Sequence, residues 1–491
     1  MQIPRPARYI SFSRLRSLAA AGFLGACLPL TIGAQIQLPD FGDPANAVLS
    51  PADEREIGAM IMRELRASLP IVTDAEVEEY IQNLGYKLVS GASGASGDFH
   101  FFVVAEPVVN AFALPGGYIG VNSGLITSTE SESELASVLA HEIAHVTQRH
   151  IARAVAASEN TQYATLAAVL AGIIIGAAGA PQAGQAAMTG AAAAGIQSQI
   201  NFTRENEKEA DRLGMQMLAA AEFDPRAMPT FFEKLDLASR YYTQPPEFLS
   251  THPVTTSRIA DSRGRAEQFP TRHYVDSTSY GLVRAKLRVL TTTDRERLLT
   301  TFESELKQEG QQQQTALLYG RALVLTELGR TDPARSELEK LVSADPTRVS
   351  FRVALAKLEL AAGRTEEGLA IYRDAYRLFP DSKQLVHGYV DGLVRAGRGQ
   401  QALEVLDEYS HVYAKDASLY RLEAEAYRQV GKTVNSRLAL SEYYYRTGEL
   451  DAAIHQLELG ANEPGGDFYT HSRLEARLQE LQQERKDLLE R

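Results

Sequence analysis

The stretch "VLAHEIAHVTQRH" (residues 138–150) contains three histidines and a glutamate in a run that is otherwise largely apolar. Ser131, followed three residues later by Glu134, forms a capping-box pattern that favours the start of a helix. Neither proline nor glycine occurs between residues 132 and 157. The sequence therefore predicts one helix over 132–157.

The two histidines at the centre of this helix have the spacing of a metal site. Side chains four residues apart share a helix face, so His141 and His145 point the same way, with Glu142 beside them. Two such imidazoles can bind one zinc ion, and a glutamate at its edge can act as a general base. The alternative is a surface helix with solvated histidines, so a third ligand is needed to decide.

His150 does not fit the pattern of a third ligand. The motif that takes a third histidine from the same segment needs it six residues after the second, with a glycine between them. Position 151 is isoleucine and position 148 is glutamine. On a continuous helix His150 would point about 140° away from His145. We therefore predict that His150 is solvated or faces a partner.

A carboxylate ligand is predicted in "NFTRENEKEADRLGMQML" (residues 201–218), a second strongly helical stretch. Glu207 and Asp211 are four residues apart and share a face. A glutamate from this helix would complete a catalytic site of two histidines and one carboxylate, with Asp211 bonded to a ligating histidine. By spacing alone Glu205 and Glu209 remain alternatives, as does a merely solvated acidic face.

The first 34 residues have the composition of a secretory signal peptide. They contain four arginines and no acidic residue, and an apolar run follows from Leu18 to Ala34. We expect cleavage after Ala34. Cys27, which is the only cysteine of the chain, would alternatively carry a lipid as the first residue of a lipoprotein. An uncleaved membrane anchor is disfavoured because the run is short and contains Pro29.

Export would leave an acidic chain without a thiol. Loss of the four arginines shifts the formal net charge from -12 to -16, which argues against nucleic acid as the main partner. No disulfide would be possible. A hydrophobic content of 44% over 491 residues is enough for two or three domains with apolar cores.

A second apolar segment lies between the two predicted metal-binding helices. Residues 166–180 are all apolar or glycine, and a tract rich in glycine, alanine and glutamine continues to about residue 195. Fifteen residues are fewer than the roughly 20 that span a bilayer, and glycine weakens a helix. We expect 166–195 to form either helices buried against the domain or a cover that contacts a membrane peripherally.

The last 180 residues have a period of 34. The glycines that define it are Gly329, Gly363, Gly397 and Gly431, and Pro346 and Pro380 repeat the same interval. A glycine turn between two helices at this period is typical of tetratricopeptide repeats, which stack into an α-solenoid. The period is broken at Gly448, only 17 residues after Gly431, which predicts an altered final repeat.

Four motifs in order resemble a known family. They are "NAFALPGGYIGVNSGLI" (110–126), "HEIAH" (141–145), "EKEAD" (207–211) and "THPVTTSR" (251–258). Together they resemble the zinc metallopeptidases that include HtpX and the CAAX endopeptidases, and within them the periplasmic members that carry tetratricopeptide repeats. The resemblance covers nearly the whole mature chain.

The resemblance implies a role for individual residues. It makes His141, His145 and Glu207 the ligands of one Zn²⁺ per chain, and Glu142 the catalytic base. The family places its third ligand four residues before the aspartate, which selects Glu207 over Glu205 and Glu209. Asp211 keeps its predicted role as the hydrogen-bond partner of a ligating histidine.

The same resemblance implies a substrate-binding edge and two further catalytic residues. An extended peptide would lie against a strand formed by Asn110, Ala111, Phe112 and Ala113, in the manner of β-augmentation. His252 would either fill the open zinc position and keep the enzyme shut, or stabilise the oxyanion together with Arg258. A loop-capping role for both is the alternative.

We predict an α+β zincin-type metallopeptidase domain followed by an all-α tetratricopeptide solenoid. "DFHFFVVAE" and "YIGVN" predict short strands in the first domain. The predicted boundaries are 1–34 for the signal peptide, 45–265 for the metallopeptidase domain, 266–310 for a helical linker and 311–491 for the repeat domain.

By this resemblance the function would be that of a zinc endopeptidase in the periplasm of a Gram-negative bacterium. It would degrade misassembled outer-membrane proteins and assist their assembly, and the repeat domain would recruit these clients and their assembly machinery. The competing hypothesis is a mainly non-catalytic chaperone or assembly factor with a latent zinc site. A structural zinc site usually has four protein ligands, many of them cysteine, which the mature chain would lack, so an open site is favoured.

Overall fold

The computed structural model describes residue 46 and residues 48–92, 97–157, 204–241, 248–308, 311–410 and 417–489. The predicted signal peptide and the apolar segment 166–195 lie outside the described residues. Within the part of the chain that is described, no helix is both long and apolar enough to cross a membrane.

The first half of the described chain combines helices with one small sheet. It begins with α1 (Pro51–Ser68) and α2 (Ala75–Ser90), followed by β1 (His100–Val104), β2 (Ala111–Ala113), a 3₁₀ turn (Pro115–Gly117) and β3 (Tyr118–Asn122). The helices that follow are α3 (Ser123–Ser128), α4 (Glu132–Thr147), α5 (His150–Ala157), α6 (Arg204–Ala220), α7 (Ala227–Tyr241), α8 (Phe248–Thr251) and α9 (Thr256–Ala266). Both predicted strands are present, as β1 and β3.

The sheet has the order β1-β3-β2, with β1 parallel and β2 antiparallel to β3. The short strand β2 therefore lies at one edge. Gly116 and Gly117 reverse the chain between β2 and β3 in left-handed conformations, with φ of 76° and 84°. A Cβ atom at Gly117 would lie only 2.1 Å from the backbone oxygen of Asp98, so glycine is required there.

Helix α4 carries the predicted metal pair through the centre of the first core. Its residues from Glu132 to His145 are all buried. Apolar side chains of α2, the sheet, α6 and α7 pack around it in one cluster. The alternative of a surface helix with solvated histidines is therefore wrong.

The predicted helix over 132–157 is helical in both parts but is interrupted at residues 148–149. Ser131 does cap the helix, since its hydroxyl accepts a hydrogen bond from the backbone of Glu134 at 3.2 Å. However, α4 ends at Thr147, and Arg149 has a left-handed backbone with φ of 51° before α5 begins. Its guanidinium donates to Glu54 at 2.9 Å, which holds this uncommon conformation in place.

The second half consists of paired helices. They are α10 (Thr278–Thr291), α11 (Arg295–Glu305), α12 (Gln311–Glu327), α13 (Thr331–Ala344), α14 (Val349–Ala361), α15 (Thr365–Tyr376), α16 (Lys383–Arg395), α17 (Gly399–Glu408), α18 (Ala417–Gln429), α19 (Thr433–Thr447), α20 (Leu450–Ala461) and α21 (Phe468–Leu489). The four periodic glycines all have φ between 69° and 77°. Each ends a helix in the left-handed conformation that glycine adopts without strain, which explains the 34-residue signal.

Helix α10, inside the predicted linker, belongs to both halves. Tyr280, Val283 and Leu287 pack into the core around α4, whereas Leu282 and Ala285 pack into the first core of the repeats. A helix apolar on two faces can join two cores in this way. The domain boundaries stay a prediction, but the linker is a packed helix and not a free connection.

Buried polar contacts reinforce the junction at α10. The Lys286 ammonium lies 2.8 Å from both Asp74 and Glu76 at the start of α2, and the Tyr319 hydroxyl of α12 donates to Glu76 at 2.8 Å. Burial would lower the pKa of Lys286, but the nearby carboxylates hold it well above its usual range. Both helices are thereby tied to the peptidase half.

Residues near the end of the repeat array contact α1, the first described helix. Gly448, the glycine that breaks the period, has φ of 96°, and a Cβ atom there would lie 2.6 Å from the backbone oxygen of Arg63 in α1. The Arg63 side chain also pairs with Glu484 of α21 at 3.2 Å. The altered spacing thus coincides with the place where the repeats contact the peptidase half.

We predict that Lys286→Met destabilises the chain by about 3–5 kcal/mol, because it leaves the buried carboxylates of Asp74 and Glu76 without this cation. Urea unfolding followed by circular dichroism measures the change. Lys340→Met, at an exposed position of α13, is the matched control and should change stability by less than about 0.5 kcal/mol. Equal effects of the two substitutions would contradict the role of Lys286.

Candidate metal centre

Four side chains from three parts of the chain converge on one point. His141 and His145 come from α4, Glu207 from α6, and His252 from the turn after α8. One potential ligand atom of each lies within 4.8 Å of the others. All four side chains are at most 3% exposed. The described residues thus contain a buried cluster with the composition of a metal site.

The distances within the cluster are those of hydrogen-bonded groups or of ligand atoms that share one cation. The two Nε2 atoms of His145 and His141 are 3.0 Å apart, and His252 Nδ1 lies 3.3 Å from His141 Nε2. Glu207 Oε1 lies 3.1 Å from His252 Nδ1 and 3.5 Å from His145 Nε2. Three imidazole nitrogens and a carboxylate facing one another fit a bound cation.

Close packing of α6 against α4 brings the glutamate to the histidines. Gly214 of α6 faces the backbone of α4, where a Cβ atom would lie only 3.1 Å from the backbone nitrogen of His141. A larger side chain would hold the helices further apart. Glu207, and not the alternatives Glu205 or Glu209, is the acidic residue of α6 that reaches the cluster.

Asp211 and Arg258 form a charged layer behind the cluster. Asp211 Oδ1 lies 3.0 Å from His141 Nδ1. Arg258 donates through Nε and Nη2 to the two oxygens of Asp211, at 2.8 and 2.7 Å, and its Nη1 lies 2.7 Å from Glu207 Oε2. The guanidinium also lies over the Phe232 ring, 4.9 Å from its centre. Arg258 therefore contacts the carboxylates and not the open side of the cluster.

The electrostatics follow from burial and from these pairs. Burial would lower the pKa of His141, but Asp211 and Glu207 raise it to about 9. Burial would raise the pKa of Glu207, but His252 and His141 hold it well below its usual value. Burial and the neighbouring His141 keep the pKa of His145 well below its ordinary value. Glu207 is thus ionised and His145 neutral.

Glu142 lies beside the cluster without belonging to it. It is 1% exposed, and its Oε1 has no hydrogen-bond partner among the described residues. The Nε2 atom of the His252 ring lies 3.5 Å from this Oε1 atom. A buried carboxylate oxygen without a donor is costly, which indicates that water or a cation interacts with it.

The prediction that His150 is solvated or faces a partner is wrong. His150 is completely buried, and its Nδ1 lies 2.8 Å from His145 Nδ1. Its Nε2 lies 3.2 Å from Glu209 Oε2. The estimate of its direction assumed a continuous helix, whereas the left-handed Arg149 turns the chain back toward the cluster.

Residues Asn110 to Ala113 run along the edge of the sheet. Asn110 precedes β2 and accepts a hydrogen bond from the backbone of Asn122 at 3.0 Å, which extends the ladder by one pair. Val109, one residue earlier, accepts from the backbone of Phe248 at 3.2 Å, so α8 lies against this end of the strand. Peptide binding by the edge stays a prediction.

Comparison with known proteins gives two family matches. The model of peptidase family M48 matches residues 74–266, and a tetratricopeptide repeat model matches residues 359–426. The predicted fold class, a metallopeptidase domain followed by a repeat solenoid, is confirmed.

Individual relatives match over very different lengths. The beta-barrel assembly-enhancing protease of Escherichia coli (strain K12) is 35% identical, with 97% of both chains covered. A putative beta-barrel assembly-enhancing protease of Vibrio cholerae is also 35% identical, over 98% of this chain and 99% of that protein. The mitochondrial metalloendopeptidase OMA1 of Schizosaccharomyces pombe is 34% identical over 35% of this chain and 47% of its own.

We predict that Arg258→Lys destabilises the metal-free chain, because lysine cannot reproduce the two-pronged contact with Asp211. Arg258→Met should cost more, about 3–5 kcal/mol, since it leaves two buried carboxylates without their cation. Arg263→Met, on the same helix with its side chain 59% exposed, should cost less than about 0.5 kcal/mol. Thermal unfolding of the three variants ranks their losses of stability. Any ranking other than Arg258→Met, then Arg258→Lys, then Arg263→Met contradicts the prediction.

Proposed function

The chain belongs to the family of beta-barrel assembly-enhancing proteases and is a metalloendopeptidase; on this premise we propose that it is a zinc enzyme that cleaves misassembled outer-membrane proteins. The buried convergence of three histidines and a glutamate beside Glu142 carries the proposal.

The proposed zinc ligands are His141, His145 and Glu207. Two imidazole nitrogens and a carboxylate oxygen are the donor set of catalytic zinc sites. Zinc bound there supplies Lewis acidity, which polarises a peptide carbonyl and lowers the pKa of water to about 7. The absence of cysteine from the cluster also fits a catalytic site better than a structural one.

Glu142 is the proposed general base. Its burial and the Oε1 atom without a hydrogen-bond partner leave it ready to accept a proton from water at the centre of the site. The same carboxylic acid can then donate the proton to the leaving amine. Because Glu142 follows His141 directly, helix α4 sets the distance between base and ligands.

Asp211 and Arg258 are proposed as positioning residues. Asp211 Oδ1 lies 3.0 Å from His141 Nδ1, and Nε2 of that ring is directed at the cluster. Arg258 holds the carboxylates of Asp211 and Glu207 at once, and fixes the orientation of both. Its contacts support this role in place of direct oxyanion stabilisation.

His252 is proposed to keep the site closed. Its Nδ1 lies among the other ligand atoms, and its Nε2 lies 3.5 Å from the base Glu142. A histidine in this position occupies the space that substrate and water need. These contacts favour closure of the site by His252 over stabilisation of the oxyanion, because the second role would require His252 to leave the ligand cluster.

The substrate edge is proposed to be β2. It is one of the two outer strands of the sheet, and it packs beside α4, which carries the proposed base. An extended peptide added to this edge would gain main-chain hydrogen bonds that do not depend on sequence. Unfolded or misassembled chains, which have free backbone groups, would be suitable substrates.

The repeat array is proposed to recruit the clients. The relatives that share the full length are named for enhancing β-barrel assembly. Repeat solenoids present long surfaces for protein binding. We therefore propose outer-membrane proteins and their assembly machinery as partners, and the periplasm of a Gram-negative cell as the location.

The contact of His252 with the cluster also supports a second function. While the site is closed, the chain would act on clients through its repeats alone, as a chaperone or assembly factor. Proteolysis would then be confined to clients that dislodge His252.

We predict that Glu142→Gln retains one zinc per chain and the wild-type fold but loses casein cleavage by about 10²- to 10⁴-fold, because an amide cannot accept the proton. Metal analysis and initial rates measure the two properties. Glu205→Gln, exposed on α6, is the control and should cleave like wild type. Absence of stoichiometric zinc from wild type, or its retention after joint replacement of His141 and His145 by alanine, would refute the zinc site.

We predict that His252→Ala raises the rate of cleavage of unfolded substrates, self-cleavage included, because it opens the site while the other three ligands keep the metal. His273→Ala, at an exposed loop position, should leave the rate unchanged. A loss of about 10²- to 10³-fold in kcat would instead favour oxyanion stabilisation. Wild-type kinetics would reject both roles.

A further inference from the structure

We infer that His150 is a positioning residue for the metal ligand His145 and that it links this ligand to the carboxylate of Glu209. The inference rests on the metal site proposed above and adds a residue that the motif does not contain. The contacts that carry it are the 2.8 Å distance between the Nδ1 atoms of His145 and His150, and the 3.2 Å distance from His150 Nε2 to Glu209 Oε2.

The hydrogen atoms can be arranged along this chain in one consistent way. A histidine that binds a metal through Nε2 carries its proton on Nδ1, so His145 donates from Nδ1. His150 accepts at its own Nδ1 and must then carry its proton on Nε2. That proton points at Glu209, which also accepts from Arg153 at 3.0 Å. Every donor therefore meets an acceptor.

The two metal histidines are thus anchored differently. His141 contacts the carboxylate of Asp211 directly, at 3.0 Å. His145 reaches its carboxylate only through the intervening ring of His150. Both acceptors, Glu209 and Asp211, belong to α6, the helix that also supplies the ligand Glu207. One helix therefore provides a ligand and the two outer anchors.

The backbone conformation of Arg149 places His150 against His145. Arg149 has φ of 51°, a conformation that is unfavourable for a residue with a side chain. Its guanidinium donates to Glu54 at 2.9 Å and to the backbone oxygen of Leu49 at 2.6 Å. Contacts with the N-terminal helix thus stabilise the turn that brings the buried ring of His150 against His145.

The test measures the zinc dissociation constant by competition with a chelator. His150→Ala and Glu209→Gln should each weaken zinc binding, by about 10- to 100-fold for the direct partner and by less for the outer one. His150→Gln should recover much of the loss, because its amide can accept from His145 and donate to Glu209. Glu205→Gln, exposed on the same helix, should bind like wild type.

A merely structural role is distinguished by thermal unfolding of the metal-free variants. Glu209 is partly exposed, so Glu209→Gln should unfold like wild type while it binds zinc more weakly. If His150 and Glu209 act on His145 through one chain of hydrogen bonds, a variant with both His150→Ala and Glu209→Gln should lose little more zinc affinity than His150→Ala alone. Wild-type zinc affinity of Glu209→Gln would overturn the relay, and this can be measured even if His150→Ala does not fold. Full additivity of two measurable losses would overturn it as well. Absence of zinc from wild type would overturn the proposed function itself.

Discussion

The contact between α4 and α6 determines the rest of the site. It buries imidazoles and carboxylates together, and burial of unpaired charge is strongly unfavourable. The arrangement is tolerable because each carboxylate has partners: Glu207 faces the three histidines, and Asp211 lies between His141 and Arg258. Gly214 permits the helices to approach closely enough for these contacts. A metal at the cluster would offset the remaining cost.

The surroundings of the site connect it to distant parts of the chain. Arg149, between the two helices that carry the histidines, is held by Glu54 of α1. The turn that follows β2 packs on the same helix, where a Cβ atom at Gly58 would lie 2.0 Å from the Pro115 backbone oxygen. Helix α1 in turn contacts the last repeats through Gly448. Both halves of the protein therefore contact α1, the helix that packs against the turn after β2.

Much of the architecture was predictable because it depends on short-range rules. Two histidines four residues apart on a helix must share a face, whatever surrounds them. Glycine every 34 residues marks positions that need a left-handed backbone, and such positions recur only when the helix pairs recur. His150 shows where these rules stop, since its direction depends on the backbone conformation of Arg149. The Glu54 side chain and the Leu49 backbone, 95 and 100 positions away, stabilise that conformation.

The sequence by itself indicated the reaction class, through four ordered motifs that include His141, Glu142 and His145, and the solenoid, through its periodic glycines. Only the tertiary structure decided that His150 lies against His145, that Arg258 faces carboxylates, and that α10 joins two cores. These features depend on how closely and at what angle separate helices pack. Local spacing carries no information about that, because side chains remote in sequence set the distance between helices.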